Sequence, residues 1–183
     1  MKKILVVVDY QNDFVDGALG FPGAETLDQS IAEKIYSYGK GNVFYTLDTH
    51  DASYLETREG AHLPVVHCVK DTPGWEVYGK TKIALSEVDA IGFPKESFGL
   101  APTEEVLQKL PAYADEIELV GLVSNICVLS NVVIFQTLYP QAQIKVDASC
   151  TKSFDEDLHA KTLAVLKGLQ VEIINEHKES KTK

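Results

Sequence analysis

Four apolar, strand-like runs in this chain each lead into residues that can carry a proton or bind a metal. Asp9 follows "ILVVV", Asp48 closes "VFYTLD" with His50 two residues on, Lys95 follows "AIGFP", and Cys127 follows "ELVGLVSN". In an open parallel sheet the loops after the strands converge at a topological switch point, and ligands bind there. One thiol, two carboxylates, one amine and one imidazole at four such ends are hard to account for as packing.

Asp9, Lys95 and Cys127 form the first candidate group. A thiolate attacks carbonyl carbon far better than a thiol does. A helix N-terminus beside a cation, Lys95, is expected to lower the Cys127 pKa below the free value of ~8.5. An aspartate in reach can take the thiol proton and later deliver it to a leaving amine, which makes Asp9 the candidate acid and base. Backbone N–H groups at Val123 and Cys127 are candidates to receive an oxyanion, a device worth roughly 3 kcal/mol per donor. Taken singly, each residue has a plainer reading: Cys127 as a small buried hydrophobe, Asp9 as a turn cap, Lys95 as a solvated surface lysine.

Asp48, His50 and His67 form the second group. "DTH" sets two metal-competent side chains at i and i+2 of an extended segment, on one side, and "LPVVHC" brings another imidazole. Three O/N ligands with water completing the shell suit a catalytic divalent ion, Zn²⁺ foremost, with Fe²⁺ or Mn²⁺ as alternatives. Glu56 is a further candidate ligand, its competing reading a solvated loop charge. His62, His159 and His177 have no such company and read as surface residues, and Asp13 reads as a local cap.

Short β-branched runs alternate with helical patterns, the signature of βαβ units, so the expected fold class is α/β: three layers, doubly wound, around a mostly parallel six-stranded sheet. The predicted strands are "ILVVVD", "VFYTLD", "AIGF", "EIELVG", "QIKVD" and "VEII". Helices are predicted over about 25–38, where Leu27, Ile31, Ile35 and Tyr38 recur at helical spacing, over about 125–139, and over about 155–167. Residues 51–79 have no clean period and read as a long functional excursion carrying the only tryptophan, Trp75.

The chain has 183 residues, 45% of them hydrophobic, enough for one domain with a full core and tight for two. Residues 1–183 are therefore expected to form a single domain with a frayed polar tail at 178–183. A net charge of -10 without a Lys/Arg block argues against nucleic acid and anionic membranes as partners. No apolar run approaches the ~20 residues that span a bilayer, and the N-terminal run meets Asp9 too early for a signal peptide. The expectation is a cytoplasmic protein with three reduced cysteines, Cys68, Cys127 and Cys150.

At these residues the sequence resembles the isochorismatase-like cysteine hydrolases, specifically their nicotinamidase (pyrazinamidase) branch. The likeness rests on "VDYQNDFVDGAL", "DTH" with "HCVKDTPGWE", "FPKESFG" and "GLVSNICV", in that order over nearly the whole chain. It implies Asp9, Lys95 and Cys127 as a catalytic triad, Asp48, His50 and His67 as metal ligands, and a cis peptide between Leu122 and Val123. It also implies a substrate pocket at Phe14, Leu122 and Val123. Thr49 stands where the branch often has an aromatic residue, so a ring wall is expected from Trp75, Tyr54 or Phe98. The implied activity is hydrolysis of nicotinamide, and of pyrazinamide, to the acid and ammonia through a cysteine thioester, in NAD salvage. Competing readings are a related amidase for another small amide or carbamoyl compound, and a sensor that lost the chemistry, which the intact Cys, Asp and Lys argue against. Members of the fold often associate, so a homo-oligomer is allowed, and no surface patch in the sequence defines one.

Overall fold

The computed structural model describes residues 1–176. The elements run β1 (Lys3–Val8), α1 (Asn12–Val15), α2 (Asp28–Tyr38), β2 (Val43–Asp48), α3 (Arg58–His62), α4 (Gly79–Glu87) and β3 (Ile91–Lys95). They continue with α5 (Glu104–Lys109), β4 (Glu116–Gly121), α6 (Leu129–Leu138), β5 (Gln143–Thr151), α7 (Glu156–Gly168) and β6 (Glu172–Ile174). All six strands pair in parallel in the order β3-β2-β1-β4-β5-β6. The connectivity reverses direction between β1 and β4, which sets the switch point at the carboxyl ends of those two strands.

The buried run of β1 explains the layers. Successive side chains of a strand point to opposite faces, so Ile4, Val6 and Val8 enter one core with Val132 and Phe135 of α6 and Leu163 and Leu166 of α7. Leu5 and Val7 enter the other, with Ile31 and Ile35 of α2 and Ala84 and Leu85 of α4. Each such side chain, once fully buried, contributes about 1.5–3 kcal/mol. At the end of β4 the chain crosses close to β1: Gly121 has φ +107°, and a Cβ there would stand 2.1 Å from the Val8 carbonyl oxygen. Only glycine lets β4 continue into the turn that carries Cys127.

The sheet is wholly parallel where a mostly parallel one was expected, and β2 and β4 match their predicted bounds. β5 runs on to Thr151, past "QIKVD", because Thr151 pairs with Gly121 and its hydroxyl donates to the Gly121 carbonyl at 2.7 Å. Four helices had no counterpart in the sequence patterns, the short α1 and α3 and the longer α4 and α5. The start of α4 is held from another element: the Asp28 carboxylate, on α2, accepts the N–H groups of Lys80 and Thr81, each at 2.8 Å. The excursion at 51–79 contains α3, capped by Thr57, and short 3₁₀ turns at Tyr54–Glu56 and Pro73–Trp75. No described helix is long and apolar enough to cross a membrane. The tail expected to fray, 178–183, and His177 lie outside the described residues.

Candidate active site

Asp9 leaves the end of β1, Asp48 and Lys95 close the neighbouring strands β2 and β3 in register with each other, and Cys127 sits in a π-helical turn, Ser124–Val128, between β4 and α6. Parallel pairing therefore brings side chains far apart in sequence to one end of the sheet. Lys95 Nζ lies 2.7 Å from Asp9 Oδ2, 3.2 Å from Asp48 Oδ1 and 3.8 Å from Cys127 Sγ, and donates to the Ser97 carbonyl at 2.9 Å. Asp9, Lys95 and Cys127 are at most 4% exposed. Thr46 donates to Asp9 Oδ1 at 2.6 Å. Asp9 Oδ2 is the oxygen held by the Lys95 ammonium.

The electrostatics correct one expectation. Burial, then the Asp9 charge, push the Cys127 thiol well above its ordinary value, against the opposing pull of Lys95. The site holds two carboxylates to one ammonium, so a thiolate would add a third negative charge out of water. That balance favours the thiol, from which attack on a carbonyl carbon calls for a base. Asp9 suits that role: burial raises its pKa, Lys95 opposes the rise and Asp48 adds to it. Burial disfavours the Lys95 charge, yet the Asp9 and Asp48 carboxylates outweigh it and keep Lys95 an ammonium.

Asp48 joins the triad to a second cluster. Its Oδ2 is 3.0 Å from His50 Nε2 and 3.3 Å from His67 Nε2. Glu59 Oε1 stands 3.9 Å from both imidazole nitrogens, and one donor atom from each of the four residues lies within 4.8 Å of all the others. Two carboxylates and two imidazoles this close and this buried need positive charge among them, which ring protons or a divalent ion can supply. The cluster fits a metal in a further respect: His67 Nδ1 contacts the Val65 carbonyl at 2.8 Å, which aims Nε2 at the other donors. Burial opposes the Asp48 charge, yet His50, His67 and Lys95 hold its carboxyl below the usual range.

The fourth member of the cluster is Glu59, not Glu56. Glu56 ends an exposed 3₁₀ turn and is absent from the cluster, whereas Glu59, in the first turn of α3, is directed into it. Leu122 is also corrected. It is fully buried in the core with Leu5 and Val7, and of the two neighbours only Val123, itself part of that core, reaches the cavity wall. The peptide between them is cis, as the resemblance implied. Phe14 lines the cavity and packs edge-on against His67 at 5.5 Å.

Of the expected ring walls, Phe98 alone borders the cavity. Tyr54 packs behind the donors, 4.5 Å from His50 and 4.9 Å from His67, and Trp75 is tied down through its Nε1–H to Thr49 Oγ1 at 2.9 Å. His159, read as a surface residue, is half-buried, with Nδ1 at 2.9 Å from Ser124 Oγ. Asp13 does accept locally from Ala18, and its other oxygen also takes the Cys68 N–H at 2.7 Å, tying the loop that carries His67 to the segment after β1. Cys68 packs buried behind that loop.

Two buried amides complete the scaffold without having been singled out. Gln11 donates to the carbonyls of Asp48 and Trp75 at 2.9 and 2.8 Å and accepts the Asp48 N–H. Asn131 donates to the carbonyls of Cys127 and Phe98 and accepts the Leu100 N–H, fixing the Cys127 turn to the loop after Lys95. A polar residue inside an apolar run is the signal that could have found Asn131.

A parallel α/β sheet whose switch point holds a buried thiol, acid and amine beside a four-donor cluster has the layout of a three-layer α/β hydrolase. Residues 3–177 match the isochorismatase domain, and the chain belongs to the isochorismatase family of hydrolases. It is 29% identical over 175 residues to the Bacillus subtilis (strain 168) protein named uncharacterized isochorismatase family protein PncA, covering 90% of this chain and 93% of that one. The pyrazinamidase/nicotinamidase from Streptococcus mutans UA159 superposes with a TM-score of 0.81 at 25% identity, over 94% of this chain and 99% of its own. The nicotinamidase/pyrazinamidase PncA from Bacillus subtilis superposes at 0.79 and 27% identity, with coverage of 94% and 99%.

Proposed function

We propose that residues 1–183 act as one catalytic unit, a metal-dependent nicotinamidase of the cytoplasm that hydrolyses nicotinamide, and pyrazinamide with it, to the acid and ammonia in NAD salvage. The observation that carries the reading is Lys95 Nζ, held between Asp9 Oδ2 and Cys127 Sγ behind a cavity that Cys127 lines together with Asp48, Glu59 and His67 of the donor cluster. The likeness to the two nicotinamidase structures supports the substrate class.

In this mechanism Asp9 takes the Cys127 proton as sulfur attacks the carboxamide carbon. Lys95, an ammonium throughout, steadies the charge passed between them. Backbone N–H groups of Val123 and Cys127 receive the oxyanion. The proton on Asp9 goes to the leaving nitrogen, and ammonia departs as the C–N bond breaks. Asp9 then takes a proton from a water that attacks the thioester. The C–S bond breaks, nicotinate leaves, and Cys127 regains its proton. Phe14 and Val123 flank the ring. Asp48, His50, Glu59 and His67 would hold one divalent ion. The mixed N/O donors suit zinc, with Fe²⁺ and Mn²⁺ as alternatives, and such an ion supplies Lewis acidity and an anchor for a pyridine nitrogen.

Purified protein supplied with zinc is expected to release ammonia and nicotinate from nicotinamide in equal amounts. Chelation should raise KM for nicotinamide strongly. Absence of ammonia with metal supplied, or indifference to chelator and added metal, would remove the respective half of the reading.

A further inference from the structure

The cavity above Cys127 measures about 810 Å³. That is near the upper end of the ~300–1,000 Å³ typical of sites for drug-sized ligands, and a single-ring amide occupies only its inner part. At its mouth three large apolar side chains remain in water: Phe154, Phe98 and Leu63 are 61%, 44% and 37% exposed. Exposed apolar groups gathered around one opening mark a surface that something covers. Phe154 is held in place edge-on by Phe21, ring centroids 6.2 Å apart.

The same wall carries an unused cation. Arg58 lines the cavity and forms no ion pair or side-chain hydrogen bond with any described residue. Its neighbour Glu59 also lines the cavity, but its carboxylate is engaged with the His50 and His67 nitrogens of the donor cluster and makes no ion pair with Arg58. His62 lines the wall beside it, with Nδ1 on the Arg58 carbonyl at 2.8 Å. In a chain of net charge -10, a guanidinium left uncompensated at the rim of a hydrophobic cavity is complementary to an anion on the ligand.

We propose that the outer cavity is a second substrate subsite, which takes an apolar extension of the ring amide ending in a carboxylate or similar anion. Phe98 and Phe154 pack against the extension, and Arg58 pairs with its charged end. The subsite rests on the amidase reading for the inner end of the ligand and goes beyond it in substrate class: amides larger than nicotinamide, with an anionic terminus.

The probes are pyridine-3-carboxamides bearing, away from the amide, a graded series of alkyl chains that end in a carboxylate, together with their methyl esters. Calorimetric titration into Cys127→Ala protein reads binding without turnover. At the best chain length the acid is expected to bind about tenfold or more tighter than its ester, the range of one hydrogen bond to a charged group. Adding Arg58→Gln should bring that ratio to about one while the ester still binds, which shows the protein is folded. Adding Phe154→Ala should weaken acid and ester alike. Equal binding of acid and ester at every length, or a preference that survives Arg58→Gln, overturns the subsite. The two readings separate cleanly. Wild-type protein that hydrolyses nicotinamide but shows no acid preference ends the subsite alone, and an acid preference without nicotinamide hydrolysis ends the nicotinamidase reading alone.

Discussion

A residue's role here follows from which charges surround it. Lys95 is the single ammonium among Asp9, Asp48 and the Cys127 thiol, so removing either acid changes the balance on every other group. Asp9, Asp48, His50, Lys95 and Cys127 were legible in the sequence because each follows a strand-like run, whose end a parallel sheet turns to the switch point, and because Lys95 and Cys127 stand in the motifs "FPKESFG" and "GLVSNICV" that carry the resemblance. Glu59 was not legible, because the direction of a side chain on the five-residue helix α3 depends on how its loop folds back. The thiol was misjudged electrostatically for a similar reason, since burial and the count of nearby carboxylates are properties of the assembled site. The exchange of Glu59 for Glu56 can be measured. Glu59→Gln should weaken zinc binding in calorimetric titration by roughly tenfold or more, the loss found even for outer-shell partners of metal sites, whereas Glu56→Gln should bind as the parent does. Equal losses in both would put the fourth donor back in question.

Elements matter through the positions they impose on each other. Helices with a strong apolar face, α2 and α7, declared themselves by periodicity, and α7 also carries its own cap, Asp155 accepting the Leu158 N–H at 2.9 Å. α4 did not, because its first turn is capped from α2 by Asp28, a contact with no local sequence signature. A comparable long-range tie links α7 to the turn before Cys127 through His159 and Ser124. Holding Ser124 in place positions the backbone around Val123 and Cys127, so this pair is expected to act on rate more than on binding. His159→Ala should lower kcat for nicotinamide by about tenfold with KM changed little, in keeping with the sensitivity of catalysis to small displacements. Ser124→Ala should do the same, and the double variant should lose no more than either alone. Losses that multiply, or an unchanged kcat, would detach α7 from catalysis.

At the scale of the whole molecule, the alternation of strands and helices made the parallel sheet legible, but not the buried charge network on its far side. Lys34 of α2 reaches Glu118 on β4 at 2.6 Å and Asp147 on β5 at 2.8 Å, pinning a helix to two strands. Burial opposes the Asp147 charge, yet Lys34, Ser149 and Asn175 hold its carboxyl below the usual range. A depressed carboxyl contributes stability above its unfolded pKa of ~3.9 and loses it as pH falls through the lower folded value. Lys34→Met should therefore cost about 3 kcal/mol near neutrality, where it strands two buried carboxylates, and progressively less as Asp147 protonates in the acid range. Urea unfolding at a series of pH values checks this, and a gap independent of pH would contradict it. The site itself has a more direct test: ammonia release from nicotinamide by the wild type and by Cys127→Ala at matched zinc loading. Sulfur attack on the carboxamide predicts steady release from the wild type and only background from the variant. Release by the alanine variant at the wild-type rate would contradict it.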